Sequence, residues 1–408
     1  MSGPNPEPGH PLSEPIVEVA PPAPLLPGAR LHARSARLLV DGCEALPAMV
    51  GAIRCARESV DLETYTLRDD GTGREFAAAL VEAAARGVRT RLLFDAVGSL
   101  GLPAAFLKPL QAAGVKVAVF HPLRFLHRPL WLLNRRDHRK ILVVDGMRSF
   151  TGGLNLADDY ACRPDGWRDT HAELEGAAVA RTFTAAFDYA WGRSDLLDPP
   201  DSPASTGRSV DSAVSAADPG PEETGAGIPV QLITNQILGQ RRRIRNAYRR
   251  AVQRARRYVL IENAYFIPDP SFRRALVRAA RRGVRVSLVL AARSDVRMAQ
   301  LASRAAYPSL LRAGVRIFEW SRTVLHAKTM AVDDAWSFVG SYNLDHRSLK
   351  LNLEAVVLIE DRAFARRLRE QTEADIAGCR EVTLEECRSR PWHDRLLQRI
   401  AYWMRYWL

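Results

Sequence analysis

His138-Arg139-Lys140-Ile141-Leu142-Val143-Val144-Asp145 is written a second time as His326-Ala327-Lys328-Thr329-Met330-Ala331-Val332-Asp333. Both stretches have the form H-x-K-x4-D and read as strands. The agreement continues downstream, where Gly152-Gly153-Leu154-Asn155 and Gly340-Ser341-Tyr342-Asn343 each place an asparagine 17 residues after the histidine. Upstream, each copy opens on an apolar strand holding a glutamate and a tyrosine: Val60-Asp61-Leu62-Glu63-Thr64-Tyr65, then Val259-Leu260-Ile261-Glu262-Asn263-Ala264-Tyr265. Helix-period segments follow at 76–86 and 272–282. Both stop at a Gly-Val step, Gly87-Val88 and Gly283-Val284, with glycine as the helix C-cap. A further Gly-Val step recurs at Gly114 and Gly314. Strands alternating with helices, in duplicate, predict an α/β protein of two units, each a sheet covered by helices.

Composition sets the boundaries. The first thirty residues and the Pro/Ser/Asp/Gly-rich stretch 198–229 cannot bury enough apolar surface to fold. The expected organisation is a disordered Pro-rich tail (1–30), a first domain (31–197), a flexible linker (198–229), a second domain (230–385) and an amphipathic C-terminal helix (386–408). The amino terminus has prolines and acids where a signal peptide has a basic start and an apolar run, and no stretch of 18 or more apolar residues occurs. Five cysteines, Cys43, Cys55, Cys162, Cys379 and Cys387, show no C-x-x-C pair and no zinc-ligand spacing. They read as a reduced compartment without a structural metal.

Of 408 residues, 58 are Lys or Arg and 46 Asp or Glu, a net charge of +12. That excess points to an anionic partner: nucleic acid, a phosphate-bearing metabolite or an acidic membrane surface. With 47% hydrophobic and 25% charged residues, the chain is not disordered, collagenous or coiled coil over most of its length. The basic residues are skewed, since only five are lysines, and two of these, Lys140 and Lys328, sit in the repeated motif.

Alternation along a strand puts residues i and i+2 on one face, so each histidine shares a face with its lysine. That pair suits a phosphate ester. A neutral imidazole attacks phosphorus, and a lysine ammonium neutralises charge on the equatorial oxygens. Two such histidines divide the labour: one attacks, the other protonates the leaving oxygen and then activates the incoming alcohol. Asn155, Ser341 and Asn343 supply hydrogen-bond donors to the phosphate. The scheme calls for no metal and no cofactor. Asp145 and Asp333 complete the motif and are expected either in catalysis or in the turn that ends the strand. Glu63 and Glu262 face the site or form strand-end ion pairs.

The doubled H-x-K-x4-D with G-[GS]-x-N resembles the phospholipase D superfamily, from about Leu31 to Arg380. Asn134-Arg135-Arg136-Asp137-His138-Arg139-Lys140, with Trp167-Arg168-Asp169-Thr170-His171 downstream, is similar to bacterial cardiolipin synthases lacking amino-terminal membrane spans. The resemblance implies two homologous α/β/α sandwich domains forming a pseudo-dimer around one active site. It also implies a phosphohistidine intermediate, with His138 as nucleophile and His326 as general acid/base. Glu354, grouped with the substrate-binding residues, occupies the place of a carboxylate that steadies a catalytic histidine. In the first half that place falls to His171, with Asp169 beside it.

The motifs alone do not choose the phosphodiester, because the superfamily includes nucleases and phospholipid hydrolases. Two segments favour lipid. Arg124-Phe125-Leu126-His127-Arg128-Pro129-Leu130-Trp131-Leu132-Leu133 is apolar and basic together beside the first motif, suited to acyl chains and headgroups or to a loop packed on the sheet. From Trp392 to Leu408, a stripe of Leu396, Leu397, Ile400, Trp403, Met404 and Trp407 runs among Arg395, Arg399 and Arg405. It suits a helix in the headgroup layer or one docked on the second domain. The leading expectation is a peripheral phosphatidyltransferase on the cytoplasmic side of a bacterial membrane. It would join two phospholipids, with phosphatidylglycerol the expected substrate, into cardiolipin on an anionic lipid surface, with no obligate protein partner. The alternatives are a phospholipid-hydrolysing phosphodiesterase, a metal-independent nuclease, and a binding scaffold with a dead site.

Overall fold

The computed structural model describes residues 25–26, 30–122, 134–197, 227–237, 240–294 and 296–406. The first half contains β1 (Leu31–Ala33), β2 (Ser35–Val40), α1 (Asp41–Arg54), β3 (Ser59–Thr64), α2 (Gly71–Ala85), β4 (Arg89–Asp95), α3 (Ala104–Ala112) and β5 (Lys116–Phe120). It continues with β6 (Ile141–Val144), β7 (Arg148–Gly152), β8 (Thr170–Glu175), α4 (Ala177–Trp191) and β9 (Ser194–Leu196). The second half repeats the plan with β10 (Ile228–Thr234), α5 (Arg243–Arg254), β11 (Tyr258–Asn263), α6 (Pro270–Arg281), β12 (Arg285–Ala291), α7 (Arg297–Leu311), β13 (Arg316–Trp320) and β14 (Lys328–Val332). It ends with β15 (Trp336–Gly340), α8 (His346–Lys350), β16 (Ala355–Ile359), α9 (Arg362–Ala377), β17 (Arg380–Glu381), α10 (Leu384–Ser389) and α11 (Trp392–Trp403).

The expected helices form and begin earlier than their apolar period suggests, because each has its own start signal. Asp70 caps α2 by accepting from the Gly73 N–H, and Asp269 caps α6, whose first turn holds Pro270. Both helices lead into glycines in the left-handed region, Gly87 at φ +85° and Gly283 at φ +88°, where a Cβ would be strained.

Two sheets result. One has eight strands in the order β2-β8-β7-β6-β3-β4-β5-β9, the other nine in the order β1-β10-β16-β15-β14-β11-β12-β13-β17. In each, three parallel strands (β3-β4-β5, β11-β12-β13) meet an antiparallel set, with the motif strands β6 and β14 at the junction. Parallel neighbours need crossovers, which α2 and α3 supply in the first half and α6 and α7 in the second. The outer face of the first sheet packs on α1, α2 and α3. The inner faces share one apolar layer: Ile141 and Val143 of β6 and Phe183 of α4 join Ala331, Val339 and Val357 of the second sheet and Phe364 and Leu368 of α9. Parting the halves would expose that layer at roughly 1.5–3 kcal/mol per large side chain, so the two halves are held together by a shared core.

Three expectations are corrected. Domain boundaries drawn at 30 and 230 ignore strand exchange: Leu31 of β1 pairs with Val230 in the second sheet, and β10 already starts at Ile228. Leu25 is buried in the second half's core and Arg30 forms an ion pair with Glu360 at 2.7 Å, so this part of the tail is anchored. Most of the tail and of the linker lies outside the described residues, as does the 124–133 insertion. Finally, Cys43 and Cys162 form a disulfide, which overturns the reading of all five cysteines as reduced. The bond ties α1 to the short turn Asp158–Tyr160, whereas Cys55, Cys379 and Cys387 are not bonded.

Candidate active site

Each histidine lies just before its motif strand, and each is held in place by the opposite half. The His138 N–H donates to the Leu353 carbonyl (3.0 Å), and the Leu353 N–H donates to the Arg136 carbonyl (2.8 Å). Reciprocally, the His326 N–H donates to the Arg168 carbonyl (2.8 Å) and the Arg168 N–H to the Val324 carbonyl (2.9 Å). These exchanges put the residue after Leu353 and the residue after Arg168 beside the two imidazoles. Glu354 Oε2 is 3.2 Å from His138 Nδ1, and Asp169 Oδ2 is 2.7 Å from His326 Nδ1. The carboxylates fix the rings with Nδ1 turned inward, as second partners of reactive histidines do.

Strand register shows that Asp169, and not His171, is the equivalent of Glu354. Gly152 pairs with His171 while Gly340 pairs with Val356, so the residues two earlier, Asp169 and Glu354, correspond. His171 is buried; burial pushes its pKa down to about 4, and its Nδ1 lies 3.4 Å from the Leu154 N–H. The motif difference G-G versus G-S follows from the carboxylates. Asp169 lies so close over Gly153 that a Cβ there would collide with Oδ1. In the second half Ser341 takes that place, and its hydroxyl donates to Glu354 Oε2.

The expected phosphate-binding set is therefore partly redeployed. Glu354 accepts from His138, Ser341 and the Ser348 hydroxyl (2.7 Å), and its N–H donates to Asn235 (2.8 Å). Ser341 and Glu354 thus stand behind His138. Asn155 accepts from the Thr66 N–H (3.2 Å) and donates to the Tyr160 hydroxyl (2.7 Å), so both ends of its amide serve the scaffold. Asn343 is buried and its Oδ1 has no hydrogen-bond partner among the described residues.

Asp145 and Asp333 are placed outside the site, so of the two roles expected for them the turn that ends the strand is the one they fill, and the catalytic one is corrected. Each sits past the far end of its strand, about 20 Å of extended chain from its histidine at ~3.3 Å per residue. Asp145 accepts from the N–H groups of Arg57, Glu58 and Ser59, and Asp333 from those of Arg256, Arg257 and Tyr258. Both adopt positive φ, +52° and +55°. Their role is to start the neighbouring strands β3 and β11. Glu63 and Glu262 are buried beneath the site: Glu63 is paired with Arg139 at 2.7 Å, while Glu262 accepts from Thr329 (2.9 Å) and lies 3.8 Å from Arg168.

The electrostatics show that the two motifs converge. Burial and the Lys140 ammonium lower the His138 pKa against the opposing pull of Glu354, and Lys328 from the other half adds to the lowering. Burial, then Lys328, pushes Lys140 down to about 7. Burial disfavours the Glu354 carboxylate, yet His138 and the hydrogen bond from Ser341 hold it below the usual range. Lys140 Nζ donates to the His138 carbonyl (2.7 Å), and Lys328 Nζ lies 2.9 Å from His326 Nδ1. With 8% and 5% of their surfaces exposed, the histidines line a largely dry centre.

Three aromatic residues that motif reasoning missed wall this centre. The Tyr65 ring meets His138 edge-on at 4.9 Å and lies 5.2 Å from Lys140 Nζ. The Tyr160 and Trp167 rings lie 5.3 and 5.5 Å from His326. Tyr65 belongs to the repeated opening strand, and Trp167 adjoins Arg168-Asp169; Tyr160 carries no sequence signal. Among the described residues, no group of three or more His, Cys, Asp or Glu could hold a metal ion, and no helix is long and apolar enough to cross a membrane.

Two histidines on homologous sheets, each followed by a lysine and each steadied by a carboxylate from the other half, define a phosphodiester-transfer site of the phospholipase D-like class. A family model described as "Cardiolipin synthase, PLD-like domain" matches residues 49–191 and 248–376. Over 373 residues the chain is 35% identical to cardiolipin synthase A of Pseudomonas fluorescens, covering 90% of this chain and 73% of that protein. Over 369 residues it is 35% identical to cardiolipin synthase B of Escherichia coli K12, covering 90% and 86%. The fold matches the crystal structure of phosphatidylserine synthase from Haemophilus influenzae with a TM-score of 0.70 at 13% identity, over 93% of this chain and 97% of that one. The chain belongs to the cardiolipin synthase family, and its enzymatic class is phosphatidyltransferase.

Proposed function

We propose that the protein makes cardiolipin from two molecules of phosphatidylglycerol through a phosphatidyl-histidine. His138 Nε2 attacks phosphorus as the bond to the departing glycerol oxygen breaks, and His326 delivers a proton to that oxygen. Glycerol leaves. His326 then removes the proton from a headgroup hydroxyl of a second phosphatidylglycerol, whose oxygen attacks phosphorus and breaks the P–N bond. Lys140 and Lys328 neutralise the phosphate oxygens through both steps. The observation that carries this reading is the crossed pairing of His138 with Glu354 and His326 with Asp169, which gives each imidazole an oriented Nε2.

An acceptor alcohol prevails over water only where solvent is excluded. The low exposure of both histidines and the walls of Tyr65, Tyr160 and Trp167 support transfer over hydrolysis. Incubation with phosphatidylglycerol vesicles, followed by lipid analysis, tests the reading. Cardiolipin and free glycerol in equal amounts are expected; phosphatidic acid alone would replace the synthase with a hydrolase.

The work is done at a membrane surface. Reduced cysteines would fit the cytoplasmic side, whereas the Cys43–Cys162 bond favours an oxidising side. Labelling intact cells with a membrane-impermeant maleimide, before and after an impermeant reductant, decides it. New labelling of Cys43 and Cys162 after reduction places the enzyme outside, and thiols labelled only after lysis place it inside.

A further inference from the structure

The large apolar side chains left exposed among the described residues gather at one end of the molecule. Leu100, 75% exposed, lies in the loop after β4, whose last residue Asp95 accepts the N–H of Asp137 next to the nucleophile. Ile237 follows β10 just past Asn235, which binds the Glu354 N–H. Val296 follows β12, parallel to β11, whose Asn263 pairs with Lys328. All three segments leave the sheets at the edge where the histidines sit. Leu196, on edge strand β9, is the exception.

Helix α11 adds the largest piece. It docks by a narrow side, with Gln398 and Ala401 buried; Ala401 packs against Ala299 and Ala302 of α7 and against Ile267. Its apolar stripe points elsewhere: Trp392 and Trp403 are 70% and 76% exposed, with Leu397 and Ile400 between them. A helix recruited only to fill a groove buries its apolar stripe, and this one does the opposite. Arg395 and Arg399 are exposed on the same helix, and exposed Arg293 and Arg297 flank Val296. The turn after α11, Met404–Tyr406, packs on α8, where Arg347 donates to Asn134 at the start of the segment leading to His138. The helix is therefore continuous with the rim of the active site.

We infer that this end of the molecule is a membrane-docking face whose occupant is an anionic phospholipid bilayer, with α11 lying in the headgroup layer. Separate apolar side chains from four segments, interspersed with arginines, suit a fluid charged interface, where tryptophan and leucine enter the acyl boundary while arginine stays with phosphate. Docked this way, the site meets its substrate without lifting the lipid through water. That last point rests on the phosphatidyl-transfer reading; the surface itself does not.

The test uses the full chain with vesicles of phosphatidylcholine alone or mixed equally with phosphatidylglycerol. Wild type is expected to co-sediment with the mixed vesicles. The variant Leu100→Ser/Leu397→Ser/Trp403→Ser is expected to bind them at least about tenfold more weakly with unchanged melting. Arg395→Glu/Arg399→Glu is expected to lose the preference for the anionic vesicles. Both variants should retain turnover of short-chain phosphatidylglycerol dispersed below its micelle concentration. Wild-type binding by both variants would overturn the docking face, as would light scattering that shows the triple variant breaking up a dimer of wild-type chains. Absent turnover of short-chain lipid by wild type, with vesicle binding still lost in the variants, would instead overturn the transfer reading and leave the surface standing.

Discussion

Asp169 Oδ2 lies 2.7 Å from His326 Nδ1, joining a carboxylate of the first half to an imidazole of the second. The carboxylate is held from behind by the Thr170 N–H (2.7 Å), and the adjoining Arg168 reaches Asp375 on α9 at 2.7 Å. In the proposed mechanism this pair orients the general acid/base, so Asp169→Asn should lower kcat by about 10²–10⁴, leave KM within a few-fold and leave melting unchanged. Steady-state kinetics check it; a loss below tenfold would mean that Asp169 does not position His326.

With His138 as nucleophile, wild-type enzyme given phosphorus-labelled phosphatidylglycerol should carry label on His138 that is absent from a His138→Ala variant, whereas His326→Ala, which loses both the proton donor of the first step and the base of the second, should acquire label more slowly. Peptide mapping after a rapid quench reads the result. Label retained at position 326 in a His138→Ala variant would reverse the two roles.

The motif aspartates carry a prediction of the opposite kind. Asp145 and Asp333 each accept backbone N–H groups at the start of a neighbouring strand, far from the reacting centre. Asp145→Asn and Asp333→Asn should each reduce stability by about 1–3 kcal/mol, seen in urea unfolding, while kcat of the folded enzyme stays within two- to threefold. A large loss of kcat with stability unchanged would return these residues to the catalytic machinery.

These outcomes mark what can be read from the chain alone. The duplication and the His/Lys pairs are local patterns: two-residue alternation along a strand, capped helices ending in glycine, a fixed step to asparagine. Pairing of each histidine with its carboxylate is not local, since it crosses the halves and no spacing encodes it. The sequence points to His171, yet the segment from Gly152 to Asp169 is three residues longer than that from Gly340 to Glu354, and only strand register shows that Asp169 is the equivalent of Glu354. Tyr160 reaches His326 from a short turn, and the Cys43–Cys162 bond joins residues 119 apart in sequence. Both are products of tertiary packing.

The pH profile follows from the shifts around His138 and Lys140. Burial and Lys140 hold the His138 pKa below its ordinary 6.5, so the neutral imidazole persists into mildly acid solution and, with His138 as the proposed nucleophile, the acid limb of kcat/KM should lie below that value. The Glu354 carboxylate stabilises the imidazolium and opposes this lowering; Glu354→Gln should move the acid limb to still lower pH while reducing kcat. On the alkaline side, Lys140 loses its proton near about 7, chiefly through burial and then through Lys328. The Lys328→Met variant removes that neighbouring charge and should shift the alkaline limb upward in whatever activity remains. Limbs that stay fixed in both variants would assign the titration to other groups.

The Cys43–Cys162 bond closes a long loop and pins the segment that carries Tyr160 against His326. Removing a cross-link of that span costs about 5 kcal/mol in the chain-entropy account, the upper end of the roughly 2–5 kcal/mol typical of native disulfides. Reductant should therefore lower Tm of the wild-type enzyme and leave the Cys43→Ser/Cys162→Ser variant, already destabilised, unmoved. The same variant should lose activity at temperatures where it is still folded by circular dichroism, because Cys162 lies two residues beyond Tyr160, whose hydroxyl joins Asn155 to the ring of His326. Activity that tracks the folded fraction alone would confine the disulfide to stability. A Tm insensitive to reductant in the wild type would show that the bond is not formed in solution.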